Sequence, residues 1–99
     1  MSELLRTEAG RISISHAALT QLVVRATQAV HGARVRRPRR GLQIEVAGAR
    51  ARVTLELTAG RGVVLPELAR AVQASVAEAL ETMCEVRVDA VDVSIEEVA

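Results

Sequence analysis

At 99 residues with a formal net charge of +1, the chain has the length of one small domain, and its 49% apolar and 25% charged content is that of a folded globular protein. Phe, Tyr, Trp, Lys and Asn are all absent, and every cationic chain is one of 13 arginines. Aromatic base stacking is therefore excluded, and the core must be aliphatic, drawn from 15 Val, 10 Leu, 4 Ile and 17 Ala. A lone cysteine, Cys84, rules out an internal disulfide, and no signal-peptide pattern opens the chain. Uninterrupted apolar runs stop at three residues, against the roughly 20 that a spanning helix needs. The expected compartment is the cytoplasm.

Residues 1–9 read as a flexible polar lead-in, and residues 10–98 as a single domain. From Gly10, Arg11-Ile12-Ser13-Ile14-Ser15 alternates with strand period, and Ser15 is placed to cap a helix. Leu19, Leu22, Val23, Ala26 and Val30 then form one apolar helical stripe, with Gly32 as its stop. Residues 33–40 read as extended and basic, since Pro38 disfavours helix at itself and at Arg37, with a short extra strand at 33–36. Leu42, Ile44 and Val46, then Val53, Leu55 and Leu57, form a hairpin turned at Ala47-Gly48-Ala49.

A second helix starts near Pro66 and Glu67, with Leu65, Leu68, Val72, Val76, Leu80 and Met83 as its buried stripe. The closing strand carries Val86 and Val88, then Val91, Val93 and Ile95. Its phase slips by one residue around Ala90, which predicts a bulge or a strand whose two ends bury opposite faces. The expected fold is α+β: a two-layer sandwich in β-α-β-β-α-β order, with two amphipathic helices on a mainly antiparallel sheet.

These residues resemble a known pattern. Gly10-x-Ile12-x-Ile14-Ser15, Leu22-Val23, Ala26, Val30 and Gly32-Ala33 are similar to the first half of the alkaline shock protein family, the bacterial envelope stress response proteins. Val53-x-Leu55-x-Leu57, Gly60, Gly62, Leu68-Ala69, Val72-Gln73 and the valine-rich closing strand resemble its second half. The likeness spans roughly residues 10–98. Three features depart from the pattern: Cys84 stands where a glycine usually follows the second helix, Ala59 where an aromatic is common, and arginine replaces lysine throughout. The resemblance implies a non-enzymatic cytosolic domain that acts by protein association, some members being held at the inner membrane face by an anchored partner.

The net charge conceals an asymmetry. Residues 1–44 hold 8 Arg and 2 acids, whereas residues 45–99 hold 5 Arg and 10 acids. Asymmetry of this kind favours an acidic partner or head-to-tail self-association. Arg34, Arg36, Arg37, Arg39 and Arg40 put five guanidinium groups in seven residues, and their forks suit carboxylate or phosphate oxygens. They are the candidate binding residues, for a protein partner, an anionic surface or, as the alternative, a nucleic acid. No catalytic, cofactor or metal set emerges. His16 and His31 are fifteen positions apart, Cys84 has no nearby second cysteine, and Gly60-Arg61-Gly62 is too short for a phosphate loop.

Overall fold

A computed structural model describes residues 4–6, 13–36 and 41–99. The elements are β1 (Leu4–Arg6), β2 (Ser13–Ser15), α1 (His16–Gln28), β3 (Ala33–Val35), β4 (Leu42–Ala47), β5 (Arg50–Ala59), α2 (Leu65–Cys84) and β6 (Arg87–Val98). Both helices, the hairpin, the short strand after the first helix and the closing strand stand where the periodicity places them.

β5 is the axis of the sheet. Its even positions are polar and its odd positions apolar, and Ala51, Val53, Leu55, Leu57 and Ala59 are all buried. β4 pairs antiparallel with its first half (Leu42 beside Leu55, Ala47 beside Arg50). β3 pairs antiparallel with its second half, Ala33 beside Ala59. β6 runs parallel to it along the whole opposite edge, from Arg50 beside Arg87 to Ala59 beside Val98. Two of the three pairings are antiparallel. The parallel one follows from α2, whose 20 residues span about 30 Å. The ten residues of β5 span about 33 Å, so the helix returns the chain to the start of β5.

The slip around Ala90 is a bulge. Ala51 pairs with Val88 and Arg52 with Ala90, so Asp89 is extra; Glu96 is likewise extra between Ile95 and Glu97. The first insertion keeps Val88, Val91, Val93 and Ile95 packed against one core.

Ser13–Ser15 does not join this sheet. It pairs with Leu4–Arg6 as a separate two-stranded sheet, so a strand stands within the stretch read as lead-in. β3 and β4 fill one edge of β5 and β6 the other, so β5 has no backbone groups open to β2, whose pairing is the local one with Leu4–Arg6. Residues 7–12, which include the start of the expected first strand, lie outside the described residues.

The helices cover the apolar face of the sheet. Ser15 Oγ accepts from the Ala18 N–H at 3.1 Å, capping α1 as expected. Leu19, Val23 and Ala26 are buried, as is Thr27, whose hydroxyl donates to the Val23 carbonyl at 2.9 Å. Ser75 Oγ ties α2 to α1 by donating to the Ala26 carbonyl at 2.7 Å. On α2 the buried row is Leu68, Val72, Val76, Leu80 and Cys84. Leu65 and Met83, expected in that row, are exposed. Cys84, four residues after Leu80, continues the row and takes the inward place.

Of the described residues with left-handed φ, Gly32 and Glu85 adopt it for different reasons. Gly32 (φ +87) turns the chain from α1 into β3, and a Cβ there would lie 2.7 Å from Val63 Cγ2. Gly32→Ala is therefore expected to lose about 1–3 kcal/mol in urea unfolding, from strain and overlap together. Glu85 ends α2 at φ 54 with a side chain that this conformation disfavours. Glu85→Gly should raise the unfolding midpoint, by about 1 kcal/mol in stability, because relief of αL strain exceeds the added chain entropy.

Candidate functional site

The basic segment begins and ends on one residue of β5. The Arg36 N–H donates to the Glu56 carbonyl at 2.8 Å, and the Glu56 N–H donates to the Gly41 carbonyl at 2.7 Å. Arg36 Nη1 also lies 3.5 Å from Glu56 Oε1. A Cβ on Gly41 would collide with the Arg36 carbonyl oxygen, so only glycine closes this neck. Arg34 sits on β3 beside Thr58, on the polar face of the sheet, and is exposed. Arg37, Arg39 and Arg40 lie outside the described residues. The segment is thus anchored at both ends by a single strand position.

A second charged group was not evident from the residues in order. Arg50 donates to Asp89 through both Nε, at 3.0 Å to each carboxylate oxygen, and Nη2, at 2.8 Å. Arg50 hydrogen bonding holds the Asp89 carboxyl below its ordinary value, assisted by the charges of Arg50, Arg52 and Arg87. The same contact raises the Arg50 guanidinium. Arg50 stands beside Arg87, and like charges so placed repel. The extra residue of the bulge supplies the carboxylate that relieves them. Its one trace in the chain is the phase slip at which Asp89 sits. Along β5, Thr58, beside Arg34, is eight residues from Arg50, which is about 26 Å.

The remaining polar residues do not converge. His16 and His31 are exposed, and no group of three metal-ligating side chains occurs among the described residues. Cys84 is buried, and burial pushes its thiol up, away from nucleophilic character. Beside it lies an open groove of about 280 Å³ between the helices, lined by Ala18, Gln21, Leu22, Arg25 and Met83. It holds no acid–base pair. No described helix is long and apolar enough to cross a membrane.

Comparisons with known proteins agree with this architecture. The model of the alkaline shock protein family, described as having a cell envelope-related function, matches residues 33–99. A search of curated proteins finds no match. Among solved structures, a singly substituted MamM CTD in its zinc form shares 21% identity at a TM-score of 0.58, covering 82% of this chain and 84% of that one. A doubly substituted MamM-CTD shares 20% at a TM-score of 0.57, covering 82% and 92%. That likeness is one of fold.

The Arg50–Asp89 pair has a defined pH signature. Because the folded carboxyl is held low, its contribution is present above the ordinary carboxylate range and is lost as pH falls through the lowered value. Asp89→Asn should therefore lower the melting temperature at neutral pH. In acid the two proteins should converge, and high salt should narrow the gap.

Proposed function

The chain belongs to the alkaline shock protein family, of cell envelope-related function, and on that footing we propose that it is a non-enzymatic interaction domain whose Arg34–Arg40 segment docks an acidic protein partner. The observation that carries the reading is the closed neck at Glu56. Arg36 and Gly41 are both bonded to one position of the central strand, so a run holding four of the five guanidinium groups starts and ends on the sheet, and the fifth, Arg34, stands beside it on β3. Fixing both ends lowers the ordering entropy that binding would otherwise cost. Guanidinium forks then match carboxylates bidentately.

The envelope-related family supports a place at the inner membrane face, held there by an anchored partner, with the domain itself cytoplasmic. Self-association belongs to the same reading, since the acids crowded into residues 78–99 are a ready counterpart for the arginines of a second copy. Enzymatic chemistry has no support: Cys84 is inward and high in pKa, and neither histidine has a carboxylate partner among the described residues.

One variant tests the reading, with all five arginines of 34–40 changed to glutamine. In cell fractions, wild-type protein is expected with the membranes at low salt and released at high salt, and the variant in the supernatant. Sizing chromatography should show wild type larger than a monomer at low salt and the variant monomeric. A wild type monomeric at every salt and concentration would remove self-association. Retention of the variant on membranes would remove the arginine surface. A gel shift of duplex DNA by wild type alone, with a salt slope of about −0.9 per phosphate contacted, would reassign the arginines to nucleic acid.

A further inference from the structure

Among the described residues, β6 pairs along its whole length with β5 alone, on one side, and so stands at the edge of the sheet. In a parallel ladder every second residue turns its N–H and C=O away from its neighbour. The Arg87 N–H points inward to the Ala49 carbonyl at 2.7 Å, and the Ala99 N–H inward to the Ala59 carbonyl at 2.9 Å. With extra residues at Asp89 and Glu96, the outward set is Val88, Val91, Val93, Ile95 and Val98.

The two halves of this edge are finished differently. From α2, the Glu81 carboxylate accepts from the Val88 N–H at 3.1 Å, and Gln73 Nε2 donates to the Val91 carbonyl at 3.0 Å. Covering outward groups in this way keeps an edge from recruiting another chain. Beyond Val91, no side-chain bond to the outward groups occurs among the described residues. There the strand remains apolar on its helix-facing side, with Val93 and Ile95 half-buried and Val98 53% exposed. Its other side is acidic. Asp92 stands beside Thr54 and Glu97 beside Thr58, with Glu96 extra, so the adjoining positions of β5 supply no cation.

We propose that the Val93–Val98 edge is a strand-addition site for an extended basic segment of a partner protein. The backbone of the added strand would pair with the outward groups of Val93, Ile95 and Val98, the sheet growing by one strand. Its alternate apolar side chains extend the row of Val93 and Ile95 beneath α2. Its intervening arginines or lysines face Asp92, Glu96 and Glu97. Capping of the Val88–Val91 half sets the length of the site. The site lies across β5 from β3 and β4, so it goes beyond docking by Arg34–Arg40; it competes with the self-association of that reading for Asp92, Glu96 and Glu97, and the oligomer arm of the test separates the two.

The test uses the full chain and a short fluorescent peptide of alternating valine and arginine, read by anisotropy. Binding is expected, and a valine–glutamate peptide of the same length should not bind. N-methylation of alternate amides keeps the charge of the probe but removes edge pairing, and should weaken binding about tenfold or more. Ile95→Pro, which removes an outward N–H and no ladder bond, should do the same with circular dichroism unchanged. The Glu96→Gln/Glu97→Gln double variant should weaken binding about fivefold. Equal binding of the methylated probe would overturn the proposal, since charge alone would then suffice. So would an unaffected Glu96→Gln/Glu97→Gln variant. Sedimentation equilibrium without peptide adds a third arm: an oligomer that the peptide dissociates would make the occupant a second copy and overturn the assignment to a partner.

Discussion

The sheet is organised by the two-sided pairing of β5. Its alternation commits Ala51, Val53, Leu55, Leu57 and Ala59 to the helices and leaves Arg50, Arg52, Thr54, Glu56 and Thr58 on the opposite face. With no aromatic residue available, these small and branched side chains set a thin core, filled from α1 by Leu19 and Val23 and from α2 by Leu68, Val72, Val76 and Leu80. Both edges of the strand are occupied, by β3 and β4 antiparallel on one side and by β6 parallel on the other.

The charged groups acquire their meaning from the same strand. Glu56 bonds through its backbone to both ends of the basic segment, and Arg50 receives a carboxylate from a bulge on the neighbouring strand. Beyond Asp89, the acids of β6 have no arginine opposite them: Asp92 and Glu97 lie beside threonines and Glu96 is extra, so they form an acidic margin. Solved structures share this fold at about one residue in five.

Local periodicity made much of this legible. Ser15 caps α1, Pro66 opens α2, the hairpin turns at Gly48, and the one-residue slip near Ala90 is a bulge. Such features depend on neighbours within a turn or two of the chain. Other outcomes depended on geometry between elements. Met83 and Cys84 are adjacent candidates for the same stripe, and only the packing of α2 on the sheet turns Cys84 inward. Thr27 is polar by type yet buried, because its hydroxyl is satisfied by the carbonyl one turn earlier. Ser13–Ser15 has strand character, but alternation names no partner, and the pairing with Leu4–Arg6 could not be read from it.

Composition and spacing alone determined an aliphatic two-layer domain, its two helices, its hairpin, and the concentration of arginine before acid along the chain. The tertiary structure alone decided which of those charges meet. Arg50 and Asp89 are 39 positions apart and touch because a 20-residue helix carries the chain back along β5. A pattern of period two or 3.6 reports which way a side chain faces and is silent on which strand lies alongside. Neighbourhood is a property of the closed sheet, where backbone hydrogen bonds between distant segments are either made or left open.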